Sequence, residues 1–133
     1  MYKRQLQEYV EAYATLALIR GAPLPGPNDL GVESRPYLNG LADTTGEVRR
    51  YILDGLRRDD FGRCEELLDV MDEVYTHLVS MDYPDAVTGG LRRRTDMVRG
   101  VLERTRGDLT MALRQRRLEA RLAAMEGDEQ GDS

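Results

Sequence analysis

Two pairs of carboxylates carry the chemistry that this sequence offers. Glu8 and Glu11 lie three residues apart in Leu6-Gln7-Glu8-Tyr9-Val10-Glu11-Ala12. Asp43 and Glu47 lie four apart in Gly40-Leu41-Ala42-Asp43-Thr44-Thr45-Gly46-Glu47. On a helix, either spacing puts both members on one face. Two such faces turned toward each other would gather four carboxylates. A hard divalent cation, Mg²⁺ or Mn²⁺, is what would offset their repulsion. On spacing alone the alternative stays open: each pair is a solvated acidic face.

A second constellation is basic. Arg92, Arg93, Arg94 and Arg99 are followed by Arg104, Arg106, Arg114, Arg116, Arg117 and Arg121. Arginine grips phosphate through two parallel N–H bonds, so a file of arginines can track a nucleic-acid backbone. The competing reading is a solvated face partnered by Glu103 and Glu119 and diluted by Asp96 and Asp108. Other candidates are poorer. His77 is the single histidine and has no Cys or His at ligand spacing, which excludes a zinc site and leaves a packing or surface role. Cys64 sits beside Glu65 and Glu66 without an activating base, and reads as inert. Gly89-Gly90 lacks the lysine of a phosphate-binding loop. Met71, Met81, Met97, Met111 and Met125 read as core or linker packing.

Apolar periodicity predicts four helices to position these groups. The first spans about Tyr2 to Arg20, with Leu6, Tyr9, Val10, Tyr13 and Ala17 on its inner face and Glu8/Glu11 opposite. Gly21 ends it, and Pro23, Pro25 and Pro27 keep the chain out of helix. Ser34 is the N-cap candidate of the second, which runs to about Arg58 with Pro36 in its first turn. Leu38, Leu41, Thr45, Val48, Ile52 and Leu56 line one side. Gly40, Asp43, Thr44, Glu47 and Tyr51 line the other. Gly46 and Gly55 cost helix propensity and imply close approach of a neighbour. Asp59 or Asp60 caps the third helix, which ends near Val79 with a stripe of Leu67, Leu68, Met71, Val74, Tyr75 and Leu78. Asp82, Tyr83 and Pro84 interrupt the pattern. The fourth spans about Leu91 to Ala124 through Val98, Leu102, Thr105, Leu109, Ala112 and Leu113, prolonged by Leu118 and Leu122. No segment alternates as a strand does. The expectation is an all-α, antiparallel helical bundle over residues 1–124. Residues 125–133 read as a disordered acidic tail.

Composition sets the outer limits. The chain has 133 residues and a formal net charge of -5, with 19 basic and 24 acidic residues. That is one domain's worth of chain. Its acidic balance argues against binding nucleic acid over the whole surface, though not against a local basic face. One cysteine allows no internal disulfide and suits a reducing compartment. No apolar run reaches the roughly 20 residues of a membrane span, so the expected setting is cytoplasmic.

The two acidic motifs, in this order, resemble the translin family, and specifically its Trax branch. Gln7-Glu8-Tyr9-Val10-Glu11-Ala12 is similar to that family's Q-E-Y-V-E-A. Ala42-Asp43-Thr44-Thr45-Gly46-Glu47 is similar to its A-D-L-T-G-E, and Tyr37-Leu38-Asn39-Gly40 to its Y-L-x-G approach. The resemblance covers about Leu6 to Leu122. It implies a helical bundle of the translin type, assembled into a closed octamer-like oligomer around an RNA cavity. The assembly would be of this chain alone or with another translin-family subunit. It also implies Mg²⁺-dependent endoribonuclease activity on single-stranded RNA through metal-activated water. Glu8, Glu11 and Asp43 match the catalytic, metal-binding carboxylates, and Glu47 a fourth acidic position. The alternative it allows is a non-catalytic binder of single-stranded RNA or DNA. Family members carry further helices before the first motif, so this chain corresponds to the C-terminal portion of the family fold.

Overall fold

The computed structural model describes residues 2–22, 26, 30–31, 34–80 and 85–131. Its helices are α1 (Tyr2–Ile19), α2 (Ser34–Arg57), α3 (Phe61–Ser80) and α4 (Asp85–Gly131), with no strand among the described residues. The protein is all-α, as expected. The prolines Pro23, Pro25 and Pro27 and the break at Asp82, Tyr83 and Pro84 lie outside the described residues. So do Met81 and the side chains of Gln7, Tyr9 and Ser34.

Helix α2 is the hub, because α1, α3 and α4 all pack on it. Its sequence explains this. Leu38, Leu41, Thr45, Val48 and Ile52 are buried on the expected side, but so are Tyr37, Ala42 and Thr44. Small residues make the second burial affordable: the Thr44 and Thr45 hydroxyls donate back to Gly40 O at 2.8 Å and Ala42 O at 2.6 Å. No buried hydroxyl there goes unsatisfied. Helix α1 adds Val10 and Ala14 to this core, with Leu6 packed against it. Tyr13, expected on that inner face, is exposed.

Both described helix ends before a turn use a left-handed residue. Gly21 (φ 70°) closes α1, with Ala22 N–H donating to Ala17 O at 2.8 Å. Asp59 (φ 57°) closes α2, with Asp60 N–H donating to Gly55 O and Asp59 N–H to Leu56 O. These pairings cap orphan carbonyls in the Schellman manner. Asp60 then caps α3, its Oδ1 accepting from Arg63 N–H. An aspartate in the left-handed region is strained relative to glycine. We expect Asp59→Gly to raise stability by up to about 1 kcal/mol in urea unfolding.

The tight α2–α3 hairpin makes those helices antiparallel. Ile52 O accepts from the Cys64 thiol at 3.3 Å at one end. Tyr37 Oη meets His77 Nε2 at 3.1 Å at the other. Helix α4 runs back along α3 through Tyr75–Arg99, Asp72–Arg106 and Phe61–Arg116 contacts. It is therefore parallel to α2. Arg49, unremarked in the sequence, pins that pair by donating to Thr105 Oγ1 and Asp108 Oδ2, each at 2.8 Å.

Two expectations for α4 are corrected. It starts at Asp85, running straight through Gly89-Gly90, and ends at Gly131 rather than near Ala124. Leu, Ala, Met, Glu and Arg are strong helix formers, so residues 118–126 sustain a helix that isolated glycines do not stop. Its 47 residues reach about 70 Å. The core contacts stop near Leu113. Beyond it Leu118 is 58% exposed and Met125 63% exposed, as is Met111 at 67%. Of the described methionines only Met71 is core.

Candidate functional site

Helices α1, α2 and α4 meet at a cleft of about 390 Å³ lined by Glu11, Asp43, Glu47 and Arg50, with Met97 and Val101 as its apolar wall. Glu11 is thus brought to Asp43 and Glu47, more than about 30 residues further along the chain. Glu11 shows it electrostatically. Its partial burial, then the charges of Asp43, Glu47 and Glu8, push its carboxyl above the ordinary glutamate range, while Arg50 pulls it back. Desolvation and like charges both disfavour the ionised form. Glu11 faces α2 because it lies one residue from the buried Val10 and one turn from buried Ala14. Glu8 is a turn further out, its side chain 65% exposed and 3.6 Å from Arg4.

Gly46 lines the same cleft, and a Cβ there would meet open space. Its bareness keeps the cleft wide. Gly55 is the glycine at a close approach: a Cβ on it would stand 2.8 Å from Cys64 Sγ. Cys64 is buried, and burial, with Asp60 and Glu65, pushes its thiol up. That agrees with an inert role.

The donor set suits a hard divalent cation in kind: carboxylate oxygens from two helices around one opening. Among the described residues, however, no three such groups stand close enough to hold a metal ion as they are. The reason is visible. Glu8 leans on Arg4, and Glu47, 32% exposed at its side chain, pairs with Arg50 at 3.5 Å. These arginines stand at i−4 to Glu8 and i+3 to Glu47, outside the carboxylate pattern itself. Such surface pairs are worth about 0–1 kcal/mol, so a cation could displace them. Arg50 thus competes with any cation. We expect Arg50→Gln to tighten Mn²⁺ binding about two- to fivefold at low salt, less at high salt, by calorimetry.

The shift on Glu11 has a sign for stability. A carboxyl whose folded pKa is raised above the unfolded value near 4.5 favours the fold fully only at lower pH. That contribution is lost as pH rises through the folded value. Glu11→Gln should therefore gain on the wild type as pH rises from 4 to 7 in EDTA. Thermal melts of both proteins across that range check it, and a parallel or opposite trend would contradict it.

The arginines do not form one file. Arg93 and Arg94 turn to the α2/α4 groove, where they meet Arg35. Arg92 and Arg99 turn to the α3/α4 groove beside Tyr75. Arg99 donates from Nε and Nη2 to Tyr75 Oη at 3.1 and 2.9 Å, its guanidinium 5.7 Å from the ring centroid. One residue is about 100° of helix rotation, which splits consecutive arginines between grooves. No described helix is long and apolar enough to cross a membrane.

Comparison with known proteins bears on this arrangement. The crystal structure of AfC3PO superposes with a TM-score of 0.73 at 40% identity, covering 84% of this chain and 58% of that one. The structure of the AfC3PO–duplex RNA complex gives a TM-score of 0.73 at 39% identity, over the same shares. An uncharacterized protein of Methanocaldococcus jannaschii is 32% identical over 117 residues, 87% of this chain and 52% of that protein. The chain spans about half the length of the curated relative it matches. No protein-family model matches it.

Proposed function

The chain is related to the translin family through its AfC3PO-like fold, and from that premise we propose that it is an RNA-binding subunit with Mg²⁺-dependent endoribonuclease activity. One observation carries the catalytic part. Glu11, Asp43 and Glu47 converge on one cleft, and Glu11 feels all three other carboxylates. So much negative charge beside a nucleic acid is unfavourable unless a cation sits between them. Glu8, Glu11, Asp43 and Glu47 would hold it, with Glu8 and Glu47 recruited from Arg4 and Arg50.

A Mg²⁺ or Mn²⁺ ion held there supplies acidification of a water and neutralisation of charge on the phosphodiester. The chain's own residues do the rest. Met97 and Val101 give the cleft a low-dielectric wall, which strengthens every charge interaction inside it. Arg50 tempers carboxylate repulsion in the cleft. Arg92, Arg93, Arg94 and Arg99 attract the backbone along the grooves beside α4. The oligomer, of this chain alone or with another translin-family subunit, belongs to the same proposal. Among the described residues, the exposed Leu118, Leu122 and Met125 are apolar surface such an assembly would cover.

The test is cleavage of end-labelled RNA, single-stranded and duplex, in Mg²⁺ and in EDTA. The proposal expects single-stranded RNA to be cut only with the metal. Cutting undiminished by EDTA would overturn it. Tight, salt-dependent binding of RNA or single-stranded DNA without cutting would instead support a non-catalytic binder.

A further inference from the structure

The α2/α4 groove holds a second cavity, of about 160 Å³, lined by Arg35, Leu38, Asn39, Gly90, Arg93 and Arg94. Three arginines and a carboxamide meet there from two helices, and among the described residues no carboxylate lines it. Among the described residues Arg93 and Arg94 form no ion pair, whereas Arg49, Arg50, Arg58, Arg63 and Arg106 each do. Arg93 and Arg94 are neighbouring guanidinium groups of like charge, and an anion sharing the space offsets their repulsion. Guanidinium forks and a carboxamide N–H match the oxygens of a phosphate.

Its position adds to this. Asn39, Asp43 and Glu47 are successive turns of α2. Gly90, Arg94, Met97 and Val101 are successive turns of α4. The helices are parallel, so the arginine cavity and the carboxylate cleft lie end to end in one groove. At 1.5 Å rise per residue their centres are about 10 Å apart along it. One strand of a duplex advances about 3.4 Å per nucleotide, so that distance is a few nucleotides.

We propose that Arg35, Asn39, Arg93 and Arg94 form a phosphate subsite, which holds one phosphate of a strand while another lies at the carboxylate cleft. The strand's part in this rests on the nuclease reading above; the phosphate chemistry of the cavity does not. The subsite sets how far from a held phosphate the chain is cut.

Two variants test it. Arg93→Gln/Arg94→Gln removes two charges while keeping good helix formers. Gly90→Glu adds a carboxylate to the lining with every arginine retained, at a helical glycine whose Cβ would meet open space. Each is checked for folding by circular dichroism. Inorganic phosphate, against chloride of equal ionic strength, should raise the melting temperature of the wild type and of neither variant. In anisotropy with single-stranded RNA, the double variant should bind at least about tenfold more weakly. Its log–log salt slope should shrink by about 1.4. Phosphate stabilisation unchanged in both variants overturns the subsite. So does a changed RNA slope with no phosphate effect in the wild type, which would assign the arginines to general surface attraction. If the wild type ignores RNA yet shows the arginine-dependent phosphate effect, the nuclease reading falls and the phosphate site stands.

Discussion

Glu11→Gln is expected to lower Mg²⁺-dependent RNA cleavage by about 10³-fold or more, equivalent to about 4 kcal/mol of transition-state stabilisation. Binding of RNA should change little or tighten, since a negative charge leaves the groove. Asp43→Asn should behave alike, because both groups line the cleft directly. Glu8→Gln should cost less, since Glu8 stands outside the cleft lining, its side chain 65% exposed beside Arg4. The split matters more than the size. A surface-charge role would move all three substitutions equally and would change RNA affinity with activity. Initial rates at saturating RNA, beside anisotropy on the same variants, separate the two.

Gly55→Val is expected to cost about 2–4 kcal/mol of stability. A Cβ at Gly55 would press on Cys64 Sγ at 2.8 Å and lie 3.7 Å from Asp60 O. The extra methyls of valine have no better place, because Ile52 and Cys64 are buried around this crossing. The α2–α3 hairpin would have to open. Replacing Cys64 by Ala as well should recover at least about 1 kcal/mol, a coupling read from a double-mutant cycle in urea. Strictly additive effects would show that the crossing does not depend on that contact.

The fold was legible because each helix announces its inner face. Leu38, Leu41, Thr45, Val48 and Ile52 in α2 and Leu67, Met71, Val74 and Leu78 in α3 are buried as their periodicity predicts, while Leu68 and Tyr75 are only partly buried. What failed was local competition. Leu118 and Leu122 continue an apolar pattern in α4, but among the described residues no helix covers them. Periodicity states which face is apolar, not whether anything covers it. Gly89-Gly90 reads as a break, yet a helix packed elsewhere along its length carries two glycines.

The site was legible in its carboxylates and not in its cations. Glu11, Asp43 and Glu47 stand out by type and spacing, and the structure brings those three to one cleft. Their arginine partners were out of reach, because Arg4 and Arg50 are ordinary helix-surface arginines until they are seen holding Glu8 and Glu47. The run Arg92-Arg93-Arg94 hid its division in the same way. Adjacent residues on a helix look in different directions, so Arg93 and Arg94 join Arg35 while Arg92 joins Tyr75. Arg49 had no motif at all; only the packing of α4 on α2 gives it Thr105 and Asp108.

The most direct test of the account is a Mn²⁺ titration of the purified protein, followed by loss of the free-ion electron paramagnetic resonance signal. The wild type should take up Mn²⁺ saturably, compete for it with Mg²⁺, and lose that uptake in Glu11→Gln and in Asp43→Asn. Uptake that is absent in the folded wild type, or unchanged in both variants, would contradict a metal centre in the Glu11/Asp43 cleft.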